Sequence, residues 1–354
     1  MNLGIVGLPQ AGKKTVFELL TGVAAAKAPT RDGICIAVAR VRDPRVDKLV
    51  EMYRPKKMRY AEFEMSLPPD IVPNKSRAAE WLEPLRKMDA ILLVTRAFAS
   101  DTVFHPSGSV DPARDLALVQ TELLIADLDL AEKRIERMEK ERAKGRPVNE
   151  KEMAVMQRCK AHLEQALPLR TLEFTDEEVK LLANQSFLTR KPQVVVFNTG
   201  EEIASETARL QLPADKMLAQ DCVAVFLSAA IESELAALPL EEQTEFMDDL
   251  GIKEPAAHRL SRAAFESLGL ISFFTVGEDE VRAWPLRRRA TALDAAGRIH
   301  TDLARGFIRA DTIAYDHLVG AGSEKAARAA NHYRLNGKTY EVRDGDVIDI
   351  RFNV

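Results

Sequence analysis

Residues 1–21 read MNLGIVGLPQAGKKTVFELLT, and this stretch decides the fold. The apolar run Leu3 to Val6 predicts a short strand, Gly7 to Lys13 a glycine-bounded loop, and Thr15 to Thr21 a helix. Residues 7–14, G-L-P-Q-A-G-K-K, fit the phosphate-binding template G-x-x-x-x-G-K-[S/T] everywhere except the last position, where Lys14 replaces a hydroxyl residue. Such a loop holds phosphate with inward-pointing backbone N–H groups and the helix N-terminus behind them. The lysine adds a point charge on the outer phosphates, and the missing hydroxyl is the one that holds Mg²⁺. The chain thus carries a nucleotide-site signal, and next to it a change that damages the metal side.

Outward from this loop, strands and helices alternate. Ile34 to Val41 predicts a strand, and Asp43 with Pro44 a capped helix start. Tyr60 to Met65 predicts a strand that must end at Pro68, Pro69 and Pro73. Ala78 to Met88 reads as a helix, and Ala90 to Thr95 as a strand buried on both faces. From Asp111 the texture becomes helical for about sixty residues, judged by helix-former content. Leu124, Leu128, Ala131, Ile135 and Met138 form one apolar seam, and Met156, Cys159, Leu163 and Ala166 a second beyond the K-G-R-P turn at 144–147. Two such seams predict an antiparallel helical hairpin whose mixed-charge faces are either simply solvated or a partner- or RNA-binding arm. Thr175 to Glu178 forms a capping box, and Lys191 to Phe197 and Cys222 to Leu227 predict two further buried strands. A helical stretch from Glu241 to Leu268, broken near Gly251 and Pro255, closes this part. The last segment predicts a small α+β module, with strands at Ser272 to Val276 and Asp346 to Phe352 and hairpin turns at Asn336-Gly337 and Asp344-Gly345. Alternating strands and helices imply a doubly wound, mainly parallel sheet with its ligand site at the strand carboxyl ends. The loops after Val6, Phe197 and Leu227 are therefore expected to share one crevice.

Composition sets bounds. The chain has 354 residues, 46% hydrophobic and 29% charged, with a formal charge of −4, too small to imply an acidic or basic partner. Cys35, Cys159 and Cys222 lie far apart with no C-x-x-C spacing, which argues against zinc or a disulfide framework and for a reducing compartment. The start reads as a core strand rather than a secretion signal, and no run approaches the ~18 apolar residues of a membrane span. The expectation is a cytoplasmic protein without a membrane partner.

Asn198 to Glu201, N-T-G-E, stands at the end of a buried strand, where GTPases carry the guanine-reading N-K-x-D. A glutamate one carbon longer than aspartate should weaken guanine selection. With these residues the chain resembles the YchF or Obg-like ATPase family along its whole length. GIVGLPQAGKKT stands for the family's GIVGLPNVGKST, followed by DPRVD (43–47), VDPARD (110–115), TELLIADLDLAEKRIERMEK (121–140), FTDEE (174–178) and SAAIESEL (228–235). EVRAW (280–284), GRIHTDLARGFIRADTIAYD (297–316) and the terminal NGKTYEVRDGDVIDIRFNV (336–354) continue it. The resemblance implies a P-loop GTPase-like domain (1–111 with 171–268), an inserted helical hairpin (112–170) and a C-terminal TGS domain (269–354). It implies ATP preferred over GTP, with ADP a further alternative, and association with the ribosome, its RNA or its proteins in translation or stress control. Site residues carried over are Gln10, Ala11, Gly12, Lys13, Lys14 and Thr15 for the phosphates, and Asn198, Glu201, Ser228, Ala229 and Ala230 around the base.

Three metal-side elements depart from the family. Besides Lys14, the D-x-A-G segment is replaced by F-E-M-S-L-P-P-D (63–70), which puts Met65 at the aspartate and Pro68, lacking an N–H, near the glycine. The switch segment reads P-T-R-D-G (29–33), with Thr30 the nearest hydroxyl. Phosphoryl transfer relies on positioning and charge stabilisation in which Mg²⁺ is central, so weak or absent hydrolysis is expected, and the part of Mg²⁺ stays open. Two rival readings remain. One is an active ATPase with unusual metal ligands such as Thr15 and Asp70; the other is a nucleotide-free adaptor that binds RNA or protein. Lys14 is expected either to fill the metal's space or to point to solvent. Arg287, Arg288 and Arg289 are either an RNA-phosphate contact or a solvated cluster, and His300 is expected to be packed and hydrogen-bonded at a helix start. Cys35, in the altered switch, is either redox-responsive or simply core.

Overall fold

The computed structural model describes residues 1–72, 78–200, 222–250, 252 and 254–353. β1 (Asn2–Val6) runs through the glycine loop into α1 (Lys13–Thr21), so the helix begins at the lysine, two residues before the expected start. β2 (Thr30–Arg31) and β3 (Ile34–Val41) form a hairpin around Asp32 and Gly33, whose φ of 54° and 77° suit a type I′ turn. Then come α2 (Pro44–Tyr53), β4 (Lys57–Arg59), β5 (Ala61–Leu67), α3 (Ala78–Arg86) and β6 (Ala90–Ala97). The hairpin helices are α4 (Pro112–Ala143) and α5 (Glu150–Glu164), followed by α6 (Asp176–Leu181), β7 (Gln193–Thr199) and β8 (Cys222–Leu227). α7 (Ala229–Ala237), α8 (Leu240–Asp249) and α9 (Ala256–Ser267) precede β9 (Leu270–Thr275) and β10 (Glu280–Arg287). The chain ends with α10 (Ala292–Ile299), α11 (Thr301–Arg305), β11 (Phe307–Ala314), α12 (Tyr315–Ala321), α13 (Glu324–Ala329), β12 (Arg334–Asn336) and β13 (Asp346–Phe352).

Local chemistry sets many of these boundaries. The Asp43 carboxylate accepts the Arg45 N–H at 3.0 Å ahead of Pro44, and Asp111 accepts that of Arg114 at 3.0 Å ahead of Pro112. Thr175 and Glu178 make the full reciprocal capping box expected of them.

The chain divides into two compact units, residues 1–37 with 64–260 and residues 38–63 with 261–354. A seven-stranded sheet runs in the order β2-β3-β5-β1-β6-β7-β8, in which β5, β1, β6, β7 and β8 pair parallel. This bears out the α/β class. β7 is buried along its whole length. β8 is not: Val223 is 47% exposed because the strand forms the sheet edge and only its far residues reach the core, which corrects the expected buried strand. In the first unit, Val6, Leu8, Ile71, Leu85, Leu93 and Phe197 belong to one apolar cluster between sheet and helices.

α4 and α5 pack through the two expected seams, with Leu124, Ala131, Met156, Cys159 and Leu163 in one buried cluster. Ala166 is exposed at φ 56°, past the end of α5, and takes no part in the seam. The polar faces pair across the hairpin, Arg134 with Glu152 at 2.6 Å and Lys160 with Glu132 at 3.1 Å, as a solvated face would. Burial pushes the Cys159 thiol up to about 11, whereas Cys35 and Cys222 are partly exposed. The thiolate is the reactive form. Ellman's reagent is therefore expected to count two thiols in the native protein and three in denaturant; three in the native state would contradict the burial of Cys159.

In the second unit the sheet order is β12-β11-β13-β9-β10-β4. β12 and β13 both pair with β11 and not with each other, so Asn336-Gly337 and Asp344-Gly345 are bends between separated strands and not hairpin turns. Gly345, at φ 87°, turns the chain into β13. His300 is hydrogen-bonded at a helix start as expected, capping α11 by accepting the Asp302 N–H at Nδ1 (3.2 Å), but it is not packed: its side chain is 64% exposed. Arg287, the last residue of β10, and Arg288 and Arg289 after it are all exposed. Among the described residues no helix is long and apolar enough to cross a membrane.

Candidate nucleotide-binding site

The site is built at the carboxyl end of β1. Gly7 has φ 153° and Gly12 φ 94°, both favouring glycine, and Gln10 between them is left-handed at φ 62°. A Cβ on Gly7 would lie 2.3 Å from the Val94 carbonyl oxygen, and one on Gly12 2.2 Å from the Asn198 amide nitrogen. These conformations turn the backbone of Gln10 to Thr15 into a concave nest. The N–H groups of Gly12, Lys13, Lys14 and Thr15 have no acceptor among the described residues. Free N–H groups at a helix N-terminus are an anion cradle.

The two lysines behave oppositely. Lys13 is 5% exposed; its Nζ donates to the Leu8 carbonyl and lies 3.0 Å from Asp70 Oδ1. Burial lowers its pKa below the usual lysine value, Asp70 pulls it back up, and Lys14 pushes it down again. Lys14 is exposed and has no partner among the described residues, consistent with the solvent-facing alternative.

Asn198 sits at the end of β7, between the phosphate loop and the loop after β8. It is buried, its amide donates to Ala11 O at 3.1 Å, and its carbonyl accepts the Ala229 N–H at 3.0 Å. It is thus a strut joining the phosphate loop to the loop after β8. Beside it Ser228 and Ala229 are buried and Ala230 is exposed, while the Ser228 hydroxyl accepts the Ile231 N–H to cap α7. Glu201 lies outside the described residues.

The donor set does not fit Mg²⁺ in the usual way. Lys14 cannot ligate a cation. Met65, expected from the resemblance at the place of the aspartate, is fully buried and paired in register with Leu3, a core residue of the sheet. Thr30 is exposed in β2, Thr15 is half-buried, and Asp70 is engaged by Lys13. Among the described residues no three His, Cys, Asp or Glu side chains converge on a point.

Two features lie beyond what the sequence shows. One is the ion pair of Asp70, a candidate metal ligand by sequence, with Lys13, which forms only because the fold brings the two segments together. The other is His105, buried with Asp115: Nε2 lies 2.8 Å from Asp115 Oδ2, and Nδ1 accepts the Ser107 N–H at 3.1 Å, which puts the proton on Nε2. Arg114 closes the network on Asp115 Oδ1 at 2.8 Å. His105, Thr95 and Arg96 line a space of about 10 Å³ whose other wall is Leu8, Pro9 and Ala11 of the phosphate loop. The Thr95 hydroxyl, buried there, has no partner among the described residues. A histidine ten residues before the second aspartate of V-D-P-A-R-D was the only available signal, and spacing alone could not place it beside the loop.

Residues 270–353 match the YchF-GTPase_C family model, described as a protein of unknown function (DUF933). Full-length relatives include a protein of Bacillus subtilis named "Ribosome-binding ATPase YchF", 38% identical over 365 aligned positions covering 100% of both chains. A protein of the same name from Haemophilus influenzae is 39% identical, covering 99% of each. The solved structure of the Schizosaccharomyces pombe YchF GTPase superposes with a TM-score of 0.84 at 28% identity, covering 99% of this chain and 97% of that one. On this likeness, spanning both sequence and fold, the chain belongs to the YchF family.

Proposed function

We propose that this protein binds adenine nucleotide in the loop of Gly7 to Lys14, hydrolyses it weakly or not at all, and acts in the cytoplasm as a ribosome-linked factor. The observation that carries the reading is the pairing of an intact cradle with an altered metal side. Unpaired N–H groups from Gly12 to Thr15 and the buried Lys13 can receive phosphates. Lys14, Met65 and Pro68 stand where the family's Mg²⁺ and γ-phosphate contacts would be. The ribosome enters because relatives are named as ribosome-binding. The three-part division, with a hairpin at 112–170 and a TGS domain from 269, belongs to the same proposal, as does the exposed Arg287 to Arg289 cluster as a contact for ribosomal RNA phosphates.

The test is a thermal-shift titration of the full chain with ATP, ADP and GTP, with Mg²⁺ and with EDTA, alongside a phosphate-release assay. Ligand at a hundred times its Kd adds about 2.7 kcal/mol to stability, enough for a clear rise in Tm. Adenine nucleotides are expected to raise Tm in EDTA as well as in Mg²⁺, GTP less so, and Lys13→Ala to abolish the shift. No shift with any nucleotide would favour the adaptor reading; multiple-turnover phosphate release that needs Mg²⁺ would establish the active ATPase.

A further inference from the structure

We propose that Asp70 is an internal carboxylate occupying part of the phosphate position on Lys13, and that it makes the site select nucleoside diphosphate over triphosphate. The inference rests on the nucleotide reading above and adds the class of nucleotide. In a phosphate loop the backbone N–H groups cradle the α- and β-phosphates while the lysine reaches the β- and γ-phosphates. Here the Lys13 ammonium already has Asp70 Oδ1 at 3.0 Å and the Leu8 carbonyl as a second acceptor. An ammonium has three protons to give. One is left, enough for a β-phosphate oxygen but not for a β,γ bridge.

The carboxylate is held in place from behind. The next residue, Ile71, donates its N–H to the Gly7 carbonyl at 3.2 Å, so the Asp70 backbone is tied to the first residue of the loop. The Ile71 side chain is fully buried in the cluster with Val6, Leu8 and Leu93. Pro68 and Pro69 stiffen the approach on the other side. Swinging Asp70 away would therefore require rotation about its own side chain, which is 47% exposed, or extraction of Ile71. A γ-phosphate would arrive beside this negative charge. The usual remedy, Mg²⁺ between the outer phosphates and a loop hydroxyl, lacks its hydroxyl because position 14 is lysine, and Lys14 points to solvent. A diphosphate leaves the Asp70–Lys13 pair intact and uses only the free N–H groups and the third lysine proton.

The experiment is isothermal titration of the full-length protein, its Asp70→Asn variant and a second variant, Asp70→Ser, with ADP and with ATP in EDTA. Wild type is expected to bind ADP at least tenfold tighter than ATP, and both variants to bind ATP at least tenfold tighter than wild type while ADP changes less than threefold. Equal wild-type affinities for ADP and ATP, or equal changes for both ligands in the variants, would overturn the inference and leave the nucleotide site standing. Binding confined to the variants would likewise overturn the selectivity. No binding of either nucleotide to any of the three proteins would remove the nucleotide reading itself. The wild-type ratio decides the matter even if a variant fails to fold.

Discussion

Replacing Gly7 with alanine is expected to lower the unfolding free energy by about 3 kcal/mol or more, combining backbone strain of about 1–3 kcal/mol with a comparable overpacking cost. The backbone sits at φ 153°, and the added Cβ would be 2.3 Å from the Val94 carbonyl oxygen. That oxygen cannot step aside, because β1 and β6 are neighbouring parallel strands in register, Val6 opposite Leu93, in the middle of the sheet. The strands must separate or the loop must re-form, and either change spoils the cradle. Nucleotide binding should be lost together with stability. Gly22→Ala supplies the control: φ is 69° there, but nothing lies within 4 Å of the new Cβ, so only the conformational cost of about 1 kcal/mol applies. Urea denaturation of the two variants separates strain from clash. A Gly7→Ala protein no less stable than Gly22→Ala would mean that β1 and β6 do not approach as described.

Asp127→Ala is expected to cost about 3–5 kcal/mol, the range for removing one partner of a buried, hydrogen-bonded charge. Asp127 lies on α4 with no exposed surface, and its carboxylate accepts the N–H groups of Leu188 (2.9 Å) and Thr189 (2.7 Å) and the Thr189 hydroxyl (2.8 Å). Arg86 stands 3.7 Å away and also donates to Ala126 O and Ser186 O. Burial pushes the Asp127 pKa up, opposed by the three donors and by Arg86. Without the carboxylate, two buried backbone N–H groups and the Thr189 hydroxyl lose their acceptor, Arg86 loses its nearby counter-charge, and α4 loses its tie to the segment that leads into β7. Asparagine offers one acceptor but turns an NH₂ toward groups that are themselves donors, so Asp127→Asn should be nearly as damaging. Denaturant midpoints of the two variants test this. A loss below about 1 kcal/mol for alanine would show that the segment 187–189 is held by its apolar contacts instead, since a typical net hydrogen bond alone is worth that much.

How legible each feature was depended on how far its physics reached along the chain. The caps at Asp43, Asp111 and Thr175 were readable because a side chain bonds a backbone N–H two or three residues on. The hairpin was readable because its seams repeat with the helix period, and it failed only at Ala166, where the helix had already ended. β8 was misjudged because an apolar run of six residues looks the same at the edge of a sheet as at its centre. The two bends at Gly337 and Gly345 looked like hairpins because turn chemistry does not reveal which strands pair afterwards. The bracing role of Asn198 was not readable, because its partners, Ala11 and Ala229, lie 187 and 31 residues away.

By itself the sequence determined that a phosphate loop joins a strand to a helix here, that the surrounding sheet is mainly parallel, and that lysine stands at position 14 where the phosphate-loop template has a hydroxyl. Those properties follow from glycine conformations, short-range hydrogen bonds and hydrophobic period, all of which act within a few residues. Only the tertiary structure decided that Lys13 is buried and Lys14 exposed, that Asp70 neutralises Lys13, and that Asn198 is a strut. Those depend on segments brought together by the burial of Ile71, Leu8 and Phe197 in one core, and burial of that kind has no local signature.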